Sequence, residues 1–392
     1  MTTTVTSGQT TDVRTRMEET RAFVRGLMEK KVKPEWLRTM DAEGRTPDEI
    51  VEVFAEHGLL GLTVPGDFGG AGLGLAEYCA AQEAVSRSHP VLSILLSSTG
   101  GLAPTAINRF GTPEQKEKYL PPLTTGQSRT SFALTEAEAG SDAAAITTRA
   151  ERTADGWRIN GSKQFISGAE SADLFLVIAS TDPAKRGRGL SAFLVGRDTP
   201  GFQVTRIDHA FGSPAWTLAE LRFDDCVVPQ ESLLGELGQG LKVALSSLNE
   251  GRLSVASICL GGASYLVEAA AEHAKARTTF GAPLASRQAI RFMLADSVTE
   301  IAAARALIRA TIEDIEHGAQ APANASAAKL FSSEMAGRVA DRAVQIFGAN
   351  GVTSDSVIGR IFRDLRVFRI GEGASEVQRM VIAKELLGKE VA

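Results

Sequence analysis

Apolar residues recur at helical spacing from residue 12 to about 125, at strand spacing from 126 to 235, and at helical spacing again to the end. In the first stretch, "RTPDEIVEVFAEHGLLGL" reads as a helix with Thr46 as N-cap, Pro47 in the first helical position, Glu49 closing a capping box and Gly58 as the stop. "GTPEQKEKYLPPL" repeats the device with Thr112, Pro113 and Gln115. The middle stretch consists of short runs such as "TSFALTE", "ADLFLVIAS", "LSAFLVG" and "GFQVTRI", divided by turn signals. Asp155-Gly156 between two of these runs predicts a hairpin. Past Gly238 come two long amphipathic helices, one ending at Gly318 and one containing "SAAKLFSSEMAGRVADRAVQIFG". The pattern predicts an α+β protein. A loose tail (1–11) precedes an N-terminal helical domain (12–125), a middle β domain built as a sandwich or barrel (126–235) and a C-terminal helical bundle (236–392).

Composition narrows the class. The 392 residues are 43% hydrophobic and 23% charged, and the net charge of −5 argues against a nucleic-acid binder, whose footprint is basic. Three cysteines without a CxxC pair fit a reducing compartment, and the five histidines never stand at metal-ligand spacing, so no metal site is expected. The N-terminal residues have no apolar core for a secretory signal, and no run reads as a membrane span. These features predict a cytoplasmic enzyme or binding protein.

Four segments offer chemistry, each with a plainer reading beside it. "FALTEAEAGSD" ends an extended run in a turn tipped by Ser141, which suits a phosphate or a polar ring edge, or is an ordinary β-turn. "RTTFGAPLASRQAI" gathers Arg277, Phe280, Arg287 and Gln288 at a helix–loop–helix junction, able to grip phosphate and stack on a base, or merely solvated. "LNEGRLSVASICLGG" puts Arg252 on the first turn of an apolar helix. In "RIGEGASEVQRMVIAKELL", Glu372 stands between Gly371 and Gly373, and Ser375 and Gln378 have capping-box spacing. That loop is either punctuation between helices or a bare platform for a carboxylate. The glycine-rich loop at residues 69–74 lacks GxGxxG spacing and follows a helix, which disfavours a Rossmann site.

Together the segments resemble the acyl-CoA dehydrogenase family, whose TExxAGSD, GxKxxI, RxxFG, QxxGGxG and EGTxxxQ marks occur here in order as "TEAEAGSD", "GSKQFISG", "RTTFG", "QIFGANG" and "EGASEVQ". The resemblance spans about residues 12–390. It implies noncovalent FAD between the middle and C-terminal domains and across a subunit interface, in a homotetramer or dimer. It assigns Phe132, Leu134, Thr135, Gly140 and Ser141 to the isoalloxazine edge and pyrophosphate, and Phe165, Ile166 and Ser167 to the cover of the flavin. Arg277, Thr279, Phe280, Arg287 and Gln288, with Gln345, Phe347, Gly348 and Ala349, would hold adenosine and pyrophosphate, in part those of a neighbouring subunit. Ala374, Ser375 and Glu376 would line the FAD, while Asn249 and Arg252, with Ser141, would face the carrier end of the substrate. Gly371 and Gly373 would flank the acyl group. The carrier is CoA or an acyl carrier protein, and the electron acceptor an electron-transfer flavoprotein.

On this reading Glu372 is the base that removes an α-proton while a β-hydride leaves for the flavin. Its own backbone N–H, with a flavin hydroxyl, would hold the thioester oxygen. Family members that carry the base on the preceding long helix place it where this chain has Gly251; Glu250 is expected to point elsewhere. Gly371 stands where the family often has a bulky residue, which implies room for a branched, cyclic or polar acyl group. The competing readings are a flavin oxidase or monooxygenase on the same fold, and a catalytically silent binding protein.

Overall fold

The computed structural model describes residues 12–246 and 248–388; the expected tail 1–11 lies outside the described residues. The N-terminal part is helical: α1 (Val13–Lys31), α2 (Pro34–Glu43), α3 (Asp48–Glu56), α4 (Leu75–Ser88), α5 (Leu92–Gly100), α6 (Leu102–Phe110), α7 (Pro113–Tyr119) and α8 (Pro121–Thr124). The capping box of α7 forms as expected, with Thr112 and Gln115 exchanging bonds with each other's backbone N–H. That of α3 does not. Its N-cap is Pro47, one residue later than expected, and no side chain caps it.

Eight strands follow: β1 (Thr130–Ala133), β2 (Arg149–Arg152), β3 (Gly156–Ser167), β4 (Leu174–Ser180), β5 (Leu190–Gly196), β6 (Phe202–His209), β7 (Thr217–Pro229) and β8 (Leu233–Leu234). They form one sheet in the order β6-β7-β3-β2-β4-β5-β8, with β1 parallel to β4. The predicted hairpin at Asp155-Gly156 joins β2 to β3. β4 shows why the sheet sits where it does. Phe175, Val177 and Ala179 point into one core, and Leu174, Leu176 and Ile178 point into another that includes Ile107, Leu120 and Val243 of the flanking helices. Phe175 meets Phe202 of β6 with ring centroids 4.7 Å apart, although three strands separate β4 from β6 in the sheet. The sheet therefore curls around its own apolar core.

The C-terminal part begins with α9 (Gly240–Ser246) and α10 (Leu248–Ala276). A two-stranded ribbon, β9 (Thr278–Thr279) and β10 (Ala282–Pro283), then leads to α11 (Gln288–Glu316), α12 (Pro322–Phe347), α13 (Val357–Arg366) and α14 (Ser375–Leu387). The stretch 240–276 is long and apolar enough, by length and composition, to cross a membrane, but most of its apolar window is buried, as in a core helix. α10 lies against α4 closely enough that a Cβ at Gly261 would strike the Glu83 carbonyl, and Ser86 Oγ donates to the Ile258 carbonyl at 2.7 Å.

Candidate active site

Glu372 lies on the short loop between α13 and α14. Its φ is +54°, a left-handed conformation that costs a non-glycine residue about 1–3 kcal/mol and persists only where surroundings impose it. Three side chains impose it here. Gln378 Nε2 donates to the Glu372 carbonyl at 3.1 Å and to the Gly373 carbonyl at 2.9 Å. Lys329 Nζ, from α12, donates to the Gly373 carbonyl at 2.7 Å. Ser375 Oγ donates to Glu334 Oε1 of α12 at 2.8 Å. The expected capping box at Ser375 and Gln378 is thus not formed, and α14 starts after Ala374 without a side-chain cap. Both residues are spent on holding the loop, Gln378 by serving its carbonyls and Ser375 by tying its end to α12.

The carboxylate of Glu372 is aimed at Gly251 on α10. A Cβ at Gly251 would lie 3.1 Å from Glu372 Oε2 and 3.3 Å from Leu102 Cδ2. Glycine at that position therefore makes room for the acid supplied by the other end of the chain. Burial raises the Glu372 pKa above the ordinary value of 4.5, opposed by the positive charges of Lys329 and Arg252. Among the described residues its backbone N–H meets no acceptor. Arg252 is buried, its Nη1 donating to Asn249 Oδ1 at 3.3 Å and its Nε without a partner among the described residues. Glu250 points away, into an ion pair with Arg109. A Cβ at Gly371 would find only the Val367 carbonyl, 3.8 Å off, so the space beside the acid stays open. Trp216 and Phe368 do not refill it. They pack on one another at 5.5 Å and are both buried.

The β domain brings a second set alongside. The register of β3 against β7 slips between Lys163 and Ile166, a bulge that turns Lys163 and Ile166 inward and throws Phe165 out at φ +58°. Gln164 N–H donates to the Thr135 carbonyl at 2.9 Å and Ser131 Oγ to the Ser167 carbonyl at 2.9 Å, which places Phe132, Leu134 and Thr135 next to Phe165, Ile166 and Ser167. Trp216 Nε1 donates to Ser167 Oγ at 3.3 Å, and through Phe368 this patch adjoins the Glu372 loop. Gly140 and Ser141 lie exposed at the turn beyond Thr135. Under that turn a buried pair went unread in the sequence. Lys163 Nζ donates to Glu136 Oε1 at 2.8 Å and to the Leu134 carbonyl at 2.9 Å, while Glu136 also accepts from Thr147 and Thr148.

A third set stands apart, with no contact to the other two among the described residues. Arg277, Thr279 and Phe280 lie at the junction between α10 and α11, as expected, where the connecting loop forms the β9–β10 ribbon. Arg287 donates to the Thr279 carbonyl and lies 5.7 Å from the Phe280 ring. Phe347 stacks on His273 at 4.3 Å, which brings Gln345, Gly348 and Ala349 to the same end of the bundle. Gln288 is exposed there too, and Phe280 is 99% exposed. Of the residues expected to line the cofactor beside Glu372, Ala374 is half-buried, Ser375 is buried and Glu376 faces solvent toward Arg379.

A flavin nucleotide fits these residues. Phe165 (58% exposed) and Phe280 are aromatic, held at positive φ and bare, the condition of rings that a planar ligand covers. The buried unpaired Arg252 Nε suits an anionic or carbonyl-rich ligand beside Glu372. Lys329 and Glu334 escaped the sequence reading, and Gln378 was read there only as part of a capping box. The one available signal was Lys329 itself, a lone charge on the buried stripe of α12 shared with Ala325, Ala328 and Ala336.

Sequence-family models described as the N-terminal, middle and C-terminal domains of acyl-CoA dehydrogenase match residues 15–127, 131–226 and 238–387. The chain is 38% identical over 368 residues to an acyl-CoA dehydrogenase of Bacillus subtilis, covering 94% of this chain and 97% of that protein. It is 37% identical over 369 residues to the caffeyl-CoA reductase–Etf complex subunit CarC of Acetobacterium woodii, covering 94% and 97%. The solved butyryl-CoA dehydrogenase from Megasphaera elsdenii superposes with a TM-score of 0.90 at 35% identity, covering 97% of this chain and 100% of that one.

Proposed function

This chain belongs to the acyl-CoA dehydrogenase family, and on that premise we propose that Glu372 is the base with which it removes the α-proton of an acyl-CoA thioester. The enzyme is an oxidoreductase acting on CH–CH donors, a flavoprotein that dehydrogenates acyl thioesters. Bound FAD supplies the acceptor for the β-hydride. The protein supplies the rest. Glu372 takes the proton, its free N–H is available to the thioester oxygen, and Arg252 with Asn249 faces the carrier end. Phe132 to Thr135, Ser141 and Phe165 to Ser167 hold the flavin of their own subunit. The exposed set around Arg277, Phe280, Gln288 and Gln345 serves the FAD of a neighbour in a homotetramer. An electron-transfer flavoprotein takes the electrons onward, in keeping with the Etf-linked relative.

One observation carries this reading: the acid sits on a strained, clamped loop with its carboxylate opposite a glycine that makes space for it. The open space at Gly371 favours a branched, cyclic or polar acyl group over a plain straight chain. The test is anaerobic bleaching of the purified yellow protein by a panel of acyl-CoAs. Bulky short acyl groups should bleach the flavin faster than butyryl-CoA, and Glu372→Gln should keep FAD and thioester binding while losing roughly 10²–10⁴-fold in reduction rate. Flavin reduction at the native rate in Glu372→Gln would move the base elsewhere.

A further inference from the structure

Proton abstraction by Glu372 does not by itself require a buried ammonium behind the loop, yet α12 places one there. Lys329 is 0% exposed, and its Nζ has one acceptor among the described residues, the Gly373 carbonyl at 2.7 Å. Withdrawing an ammonium from water is expensive unless it is paired and hydrogen-bonded, and an apolar side chain of similar length would fill the site without that cost. The helix face offers little compensation of its own. Glu334, one turn on, is engaged by Arg369 at 3.1 Å and by Ser375 Oγ. On the facing helix α10, burial pushes the Cys259 thiol up to about 12, so it is neutral, and Arg252 is a second cation. The remaining anion facing Lys329 is Glu372.

We propose that Lys329 is a positioning residue for the reaction: its ammonium clamps the Gly373 carbonyl so that Glu372 keeps its left-handed backbone and its carboxylate stays beside Gly251. The inference rests on Glu372 being the base. The same ammonium has an electrostatic duty. Burial alone drives the Glu372 carboxyl toward its neutral form, in which it cannot accept a proton. Lys329 from α12 and Arg252 from α10 are the cations that oppose this. When an apolar acyl chain displaces water from the loop, those two charges keep the carboxylate ionised. Removing one of them moves the acid limb of the pH profile upward, because the base then protonates at higher pH.

The experiment uses the FAD-loaded protein and two readouts. One is single-turnover flavin bleaching by an acyl-CoA as a function of pH. The other is infrared titration of the Glu372 carboxylate without substrate, its band identified by its loss in Glu372→Gln. Lys329→Met preserves packing and removes both the bond and the charge. Its acid limb and carboxylate band should both shift up by about one pH unit or more, so that bleaching at pH values below the native limb falls about ten-fold or more. Half-saturation by the thioester should stay within about three-fold, since the loss is in the step that uses the base. Lys329→Arg, which keeps the charge, should restore the limb. If Lys329→Met retains FAD and titrates like the native protein, Lys329 is packing and the inference fails. If Lys329→Met does not fold, Lys329→Gln, a neutral donor to Gly373, takes its place with the same required shift. If neither neutral variant folds, Lys329→Arg decides, and a displaced limb in it overturns the inference. The base reading fails separately, by native bleaching in Glu372→Gln, whatever the Lys329 variants do.

Discussion

Glu372 and Gly251 come from segments far apart in the chain, and their contact sets the pH dependence and the tolerance of the site. The Glu372 pKa is raised, so the acid limb of kcat/KM should lie above 4.5, with activity lost as pH falls through the raised value. Gly251→Ala tests the contact directly. The new Cβ would stand 3.1 Å from Oε2, tight enough that the carboxylate must give way. Small misplacements of a reacting group are costly, so flavin reduction should fall about ten-fold or more with FAD content unchanged. Rapid-reaction bleaching of the variant measures this, and a native rate would mean that the carboxylate works from another rotamer. Glu372 was visible in the sequence because a lone acid between two glycines is conspicuous. Its supports were not. Ser375 and Gln378 have capping-box spacing, yet tertiary partners on α12 and the inward carbonyls of the loop compete for them and win.

Among the elements, β3 carries the largest gap between pattern and structure. The hairpin signal at Asp155-Gly156 predicts a strand on its far side, and a strand forms. The bulge between Lys163 and Ile166 is not legible from alternation, because one inserted residue flips everything after it to the other face. That flip brings Ile166 to the same inward face as Lys163, which reaches under the turn that ends in Ser141 and pairs with Glu136. Burial opposes ionisation of Glu136, but Lys163 and the donors from Thr147 and Thr148 outweigh it and hold the pKa down to about 2. A depressed carboxylate contributes stability that is present above its unfolded value of 4.5 and disappears as pH falls from there toward about 2. Lys163→Met should leave Glu136 buried and uncompensated, destabilising the protein by about 3–5 kcal/mol. Urea unfolding near neutral pH would report that loss. A loss below about 1 kcal/mol would show that the threonine donors alone satisfy Glu136.

For the whole molecule, the α–β–α order follows from the switch of apolar period along the chain, whereas the joints between its parts depend on contacts that no local pattern encodes. One joint is a buried polar knot. Arg360 and Asp364 of α13 meet Asp41 of α2, His89 beyond α4 and Ser213 of the β6–β7 loop, with Arg360 Nε 3.0 Å from Asp41 and Ser213 N–H donating to Asp364 at 2.7 Å. Gly212 is required there because a Cβ would strike Asp364. The knot closes one chain on itself, but the set around Arg277, Phe280, Gln288 and Gln345 stays exposed and, among the described residues, makes no hydrogen bond or ion pair with the set beside Glu372. If both sets hold FAD, each cofactor must be completed by a second subunit. A ligand bound only by the assembled form stabilises that form by mass action. FAD removal should therefore shift the protein toward smaller species, and dilution should release FAD together with subunits. Arg277→Ala and Gln288→Ala should weaken both at once while leaving the fold of the single chain intact, since neither side chain is buried in it. Sedimentation velocity at the flavin and protein wavelengths follows the two processes in one run. FAD that stays on a genuine monomer with undiminished affinity would place the whole cofactor site within one chain and leave the exposed set without this role.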